Sequence, residues 1–209
     1  MNLLENLKWR YATKKFDSSK KVKESDLNKL KEAIQLSASS YGLQLYKVLI
    51  IEDEELKKKL KPASWDQPQI TDCSHLFVFC NYAKVVDKNI DDYISLKSKI
   101  QDIEIENLEG YSSFMKNTIN TFSEDMQQVW TAKQTYIAMG NLLTACAELK
   151  IDACPMEGFD AEKYNEILDL NAKGLSAAVI TTVGYRSSED ATANAPKVRK
   201  PIDDLFETI

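Results

Sequence analysis

Arg10-Tyr11-Ala12-Thr13-Lys14 places two cations beside a run of backbone amides, a combination that binds a phosphate or an electron-rich ring edge. On its own it reads more readily as a solvated basic loop. A second pair stands far along the chain, in Ala195-Pro196-Lys197-Val198-Arg199-Lys200-Pro201. Lys197 and Arg199 alternate, so an extended backbone turns both to the same side, and the flanking prolines favour extension. Two cations on one side make a phosphate clamp; the plain alternative is a solubilising tail. Ser37-Ala38-Ser39-Ser40-Tyr41-Gly42-Leu43-Gln44 offers small hydroxyl residues and a glycine that admit a flat ligand to the backbone. It reads equally as the loop after a helix. In Pro155-Met156-Glu157-Gly158-Phe159-Asp160 a glycine just past a strand frees a backbone N–H to face a ligand atom, or the segment is a strand-to-helix turn capped by Asp160.

Several chemistries are disfavoured. No two glycines stand one residue apart, which removes the G-x-G-x-x-G dinucleotide loop, and no P-loop is present. There is no G-x-S-x-G elbow. A Ser–His–Asp triad would have to use the single histidine, His75, which opens an apolar strand and reads as structural. Cys73, Cys80, Cys146 and Cys154 form no C-x-x-C pair, sit among apolar or small residues, and read as buried free thiols, so no metal site is expected. A net charge of −5 without a basic stripe argues against nucleic acid. No apolar run approaches the ~20 residues of a membrane span. The opening Met1-Asn2-Leu3-Leu4-Glu5 has no leader pattern, so a cytoplasmic location is expected. Chemistry in such a chain falls to a bound cofactor.

The elements that must carry these segments follow from periodicity. With 209 residues, 44% hydrophobic and 28% charged, the chain suits one α/β or α+β domain with a core of its own. A short helix is expected over residues 2–9, with Leu3, Leu4 and Leu7 on one face. Ser25 is placed to cap a helix reaching about Leu36, with Leu27, Leu30, Ala33 and Ile34 as its stripe. Tyr46 to Ile51, Leu76 to Cys80, Ile151 to Pro155 and Ala177 to Val183 read as strands. Glu54 to Leu60 and residues 160–169 read as helices between them, and residues 86–119 as a polar helical pair on the outside. Thr121-Phe122-Ser123-Glu124 fits a capping box opening a helix to Leu149. Between Tyr136 and Ala147 that helix is apolar nearly all round, which calls for burial on every side and makes a second copy of the chain an attractive cover. Residues 187–209 form a polar tail without periodicity.

In their order and separation these segments resemble the FMN-dependent nitroreductase family, close to its oxygen-insensitive nitroreductase and dihydropteridine reductase branch. The likeness runs through Arg10 to Phe16, Ser37 to Tyr46, Ala132 to Tyr136 with Gly140-Asn141, Pro155 to Phe159, and Pro196 to Pro201. Each motif is weak alone; five in sequence are specific.

The resemblance implies an α+β sandwich whose central sheet is mixed but mainly antiparallel, forming an intertwined homodimer with exchanged C-terminal arms. The domain is expected to span residues 1–209, with the excursion at about 86–119 over the active site and the arm at about 187–209. FMN is the implied bound cofactor and NAD(P)H the reductant, passing hydride by ping-pong to nitroaromatics, quinones, pteridines or similar small acceptors. No side chain is implied as nucleophile or base.

By position, Arg10, Lys197 and Arg199 are expected at the FMN phosphate and Lys14 near N1 and O2 of the ring. The backbone of Glu157 and Gly158 falls near N5. Ser39 and Ser40 would reach the ring from a partner subunit, with Asp66 and Gln69 at the pyrimidine edge. Tyr11, Ala12, Ser37, Gly42, Pro155 and Met156 complete the implied cofactor set, and Tyr41, Phe114 and Phe122 the implied substrate pocket. Phe122 by itself reads more readily as core packing. The sequence departs from the family at Gly42, where Asn is common, and at Leu45-Tyr46, in place of Pro-Trp. Asp66 stands in place of Asn and puts a carboxylate where it would oppose flavin reduction unless turned away. A different redox reaction on this fold, or a flavin-binding dimer without turnover, remain open.

Overall fold

The computed structural model describes residues 2–209. Four strands form its sheet: β1 (Tyr46–Ile51), β2 (His75–Tyr82), β3 (Asp152–Met156) and β4 (Leu175–Gly184), in the order β1-β2-β4-β3. Neighbouring strands are all antiparallel. The mixed character expected of the sheet is confined to a single parallel bridge, Ala12 to Ala153, made by a loop lying along the outer edge of β3.

β2 sits inside the sheet and is buried along almost its whole length, which explains its continuous apolar run. It extends past Cys80 to Tyr82. Asn81 is accommodated there because its amide donates to Thr131 Oγ1 at 3.0 Å. Alternation along the strand sends Leu76, Val78 and Cys80 to one side and Phe77 and Phe79 to the other. The first side packs with α3 (Glu54–Leu60), α4 (Gln69–Asp72) and α8 (Ala161–Ile167); Leu60, Ile70 and Tyr164 are fully buried there. The second packs with α2 (Glu24–Gln35) and α7 (Glu124–Glu148), through Leu27, Leu30, Leu142 and Cys146. A third cluster lies under α5 (Asp87–Gln101) and α6 (Glu109–Ile119), the expected outer pair, and includes Ile90, Ile94, Met115 and Ile119. The remaining helices are α1 (Leu3–Trp9) and α9 (Ile202–Leu205).

Several local expectations are corrected. Ser25 does not cap α2: the helix starts at Glu24 from Lys23, without a side-chain cap. The box at Thr121 is displaced by two residues. Thr121 Oγ1 donates back to Thr118 O at the end of α6, and Ser123 takes the cap by accepting from Met126 N. The tail is not structureless, since it turns helically at Ala191–Asn194 and again in α9. Within one chain α7 is buried on one face only, with Ala138, Leu142 and Cys146 inside while Met126, Val129 and Ile137 are 55%, 55% and 45% exposed. Leu3, Leu4 and Leu7 of α1 are exposed as well. Among the described residues no helix is long and apolar enough to cross a membrane.

Candidate functional site

Both ends of the chain meet at the outer edge of β3. Arg10, Tyr11, Ala12, Pro155, Lys197 and Arg199 line one cleft of about 400 Å³, together with Thr192 and Pro196. Arg10 follows the last residue of α1, whose final turn holds its amide through Asn6 O. Ala12 is fixed by its bridge to Ala153. Among the described residues, none of the Arg10, Lys197 and Arg199 side chains is paired with a carboxylate within 4.0 Å. Burial, then the charge of Arg199, makes Arg10 easier to deprotonate than a free guanidinium. Lys197 is lowered by burial and then by Arg10 and Arg199. Three cations thus converge and repel one another, an arrangement that an anion of two charges relieves.

Arg10 is held from both sides in sequence. The Arg186 guanidinium lies between the rings of Trp9 and Tyr11, at 4.4 and 4.6 Å from their centroids. Arg186 Nε in turn donates to Asp152 Oδ1 at 2.7 Å, tying the stack to the first residue of β3. Lys14 is exposed, and its backbone N–H donates to Asp190 at 2.8 Å. The Cys154 thiol on β3 is pushed up by burial against the opposing charges of Lys14 and Arg10, so both cations act on this edge.

β3 is an edge strand, and Pro155 has no N–H to offer a further strand. Glu157 and Gly158 lie just past the end of β3, where the chain turns with Phe159 N donating to Glu157 O at 2.9 Å. The Met156 side chain turns into the core and is 6% exposed, so only its backbone is available to a ligand. Glu157 accepts from the Tyr136 hydroxyl at 2.7 Å, and this bond, after burial, pushes the Tyr136 phenol up to about 12. A Cβ on Gly158 would lie 2.7 Å from the Trp65 ring, so the ring would have to shift, and Gln67 Nε2 donates to the Gly158 carbonyl at 2.9 Å. Trp65 and Asp66 hold this belt in two successive left-handed conformations, φ 54° and 55°. Asp66 is exposed, while Gln69 is buried in α4.

The Ser37 to Gly42 segment does not line the cleft within one chain. It docks on α7 instead: Asn141 Nδ2 donates to Ser37 Oγ at 2.8 Å, and Ser40 N donates to Gln134 Oε1 at 2.9 Å. Ser39 Oγ accepts from Gln44 N. Gly42 takes φ 78°, and a Cβ there would meet the Tyr93 hydroxyl at 3.1 Å, which accounts for glycine at this position. Tyr41 and Phe122 flank Trp130, at 6.3 and 5.8 Å, and Phe114 extends the row, 6.2 Å from Tyr41. Phe122 is half-buried and lines an open groove with Met126, Val129 and Lys133, so it is not a core residue.

Sequence reasoning missed Asp190, Arg186, Trp65, Gln67 and Trp130. Only Asp190 carried a local signal, in its spacing from Thr192, whose N–H and Oγ1 both donate to it.

Comparison with known proteins places the chain in a family. A sequence model described as the Nitroreductase family matches residues 7–185. A Staphylococcus haemolyticus protein named for NAD(P)H nitroreductase activity is 36% identical, over 99% of this chain and 97% of its own. The major NAD(P)H-flavin oxidoreductase of Aliivibrio fischeri is 35% identical, over 98% of this chain and 97% of its own. Among solved structures, a nitroreductase in complex with FMN from Exiguobacterium sibiricum superposes with a TM-score of 0.84 at 17% identity, covering 100% of this chain and 98% of that one. On the family match and these identities, the chain belongs to the nitroreductase family.

Proposed function

We propose that this protein is an FMN-dependent NAD(P)H oxidoreductase that reduces small acceptors such as nitroaromatics, quinones or pteridines. The observation that carries the reading is the convergence of Arg10, Lys197 and Arg199 without a carboxylate partner among the described residues, in a cleft beside the free edge of β3. That donor set fits a phosphate monoester: three permanent or near-permanent cations for a dianion, with planar guanidinium forks among them.

FMN, when bound, supplies a two-electron carrier that takes hydride from NAD(P)H and yields it to the acceptor in ping-pong order. The chain's own groups bind, orient and tune. Arg10, Lys197 and Arg199 hold the phosphate end. Tyr11, Ala12 and Pro155 wall the cleft between the clamp and the edge of β3, where Glu157 and Gly158 present backbone toward the ring. Lys14 stabilises negative charge developing at the pyrimidine side, in surroundings where water is displaced. Tyr136 draws the Glu157 carboxylate toward α7, and Asp66 is exposed at the turn. The belt of Trp65 and Gln67 fixes the Gly158 turn. Tyr41, Phe114 and Phe122, with Trp130, form an aromatic wall suited to flat acceptors, with α6 contributing Phe114 to it.

A homodimer is part of the same proposal. The exposed faces of α1 and α7, and the apolar Ile202, Leu205 and Phe206 of the arm, are 40% to 75% exposed in one chain. Covering them with a second copy would bury the apolar end of the arm against the partner and bring Ser39 and Ser40 to the partner's ring.

The test is an absorbance spectrum of the purified, FMN-loaded protein under anaerobic conditions. NADH or NADPH should bleach it, and menadione or a nitroaromatic should restore it. A flavin that binds without bleaching removes the reductase assignment and leaves a flavin-binding protein. Failure to take up FMN removes the cofactor as well.

A further inference from the structure

One carboxylate joins the two chain ends that build the cleft. Asp190 is almost fully buried, at 5% exposure. Its Oδ2 accepts from the Tyr11 hydroxyl at 2.9 Å, from Lys14 N at 2.8 Å and from Lys15 N at 3.1 Å. Its Oδ1 accepts from Thr192 N at 3.0 Å and from Thr192 Oγ1 at 2.6 Å. These donors come from the turn that carries Arg10 and Lys14 and from the start of the arm that carries Lys197 and Arg199.

A carboxylate has about four good lone-pair directions, so five donors leave it nothing further to offer. This matters because Asp190 is bonded to the turn that carries Arg10 and Lys14 and to the start of the arm that carries Lys197 and Arg199, yet among the described residues it forms no ion pair with any of these cations. A carboxylate free to turn would neutralise the clamp and compete with an incoming phosphate. Held by five donors, two of them charge-neutral amides of the clamp's own loop, it cannot. The Tyr11 ring is meanwhile pinned by Arg186 on its other side.

We propose that Asp190 is the positioning residue of the phosphate clamp: it fastens the Arg10 turn to the Lys197–Arg199 arm while its own charge is kept from closing the clamp. This rests on the flavin reading above: of the residues assigned to the ring, Asp190 holds only the backbone N–H of Lys14, so the phosphate end carries the larger effect. FMN and riboflavin share the ring and differ in the phosphate.

The experiment titrates the full chain, stripped of flavin, with FMN and with riboflavin, following quenching of flavin fluorescence. Asp190→Asn keeps the volume but turns an N–H toward donors; it should weaken FMN by about ten-fold or more and leave riboflavin within about two-fold. Tyr11→Phe, which keeps the other four bonds, guards against a folding failure and should weaken FMN by about three-fold with the same selectivity. Unchanged FMN affinity in both variants overturns the proposal. An equal loss for FMN and riboflavin overturns it too, because it shows general damage to the fold. A parent protein that binds FMN no better than riboflavin is a different failure, that of the clamp assignment itself.

Discussion

Removing Arg199 isolates the clamp from the fold, because among the described residues its side chain makes one hydrogen bond, from its own guanidinium to the Val198 carbonyl, at 2.7 Å on an exposed arm. Arg199→Ala therefore loses no packing, and stability without ligand should change by less than about 0.5 kcal/mol. The sign of any change favours the variant, since Arg199 is the charge that, after burial, makes Arg10 harder to keep protonated. Binding is another matter. One charge-assisted contact to phosphate contributes roughly 1.5–3 kcal/mol, which corresponds to about a ten- to hundred-and-fifty-fold rise in the Kd for FMN. Fluorescence titration measures the Kd, and a thermal melt of the flavin-free protein measures the fold. Raising the salt concentration should narrow the gap between parent and variant, because exposed charges are screened within about 10 Å at 0.1 M. An unchanged Kd, or a melt that falls in step with binding, would refute the clamp. Arg10→Ala tests the same clamp less cleanly, as Arg10 is half-buried against the end of α1.

Three more outcomes are expected. Gly158→Ala drives a methyl into the Trp65 ring at 2.7 Å; because Trp65 is 71% exposed and able to move, the melting temperature should hold while tryptophan emission shifts and the rate of flavin reduction drops. The cysteines are buried and free, with burial pushing Cys73 and Cys80 up to about 12, so a thiol-selective disulfide reagent at pH 8 should find no reactive thiol until denaturant exposes them. His75 is lowered by burial, against the pull of Glu52; the unfolded chain then takes the proton first, so its contribution is present above about pH 6.5 and lost as pH falls from there toward the depressed folded value. His75→Gln should flatten that part of the urea-stability profile, and an identical slope in both proteins would exclude His75 as its source.

The frame was legible where one physical signal dominated. Tyr46 to Ile51 is a run of β-branched and apolar residues and folds as read, while Asp160 caps α8 as its position suggests. What stayed hidden depended on partners distant in sequence. Asn81 extends β2 because Thr131, on another element, satisfies it. Thr121 lost the cap to Ser123 because α6 ended close enough to claim its hydroxyl. The clamp cations were visible as residue types, but Asp190 showed only its spacing from Thr192: it stands in a polar tail among residues of similar character, and its donors lie mostly some 175 positions away. The aromatic wall was partly visible in Tyr41, Phe114 and Phe122, yet Trp130 at its centre reads on paper as one more apolar residue of a long helix.

The cleft draws Arg10 from the start of the chain and Lys197 and Arg199 from near its end, whereas the last strand of the sheet closes at Gly184. On a ribosome, every strand has been made before the second half of the clamp exists. Folding and cofactor loading are thus separated in time by the chain's own order. A product cut short after β4 would retain the strands and both layers of helices and still be unable to grip a phosphate. With the clamp proposed above, a preference for FMN over riboflavin would report that translation ran through the arm, so the phosphate would inspect the integrity of the polypeptide that carries it.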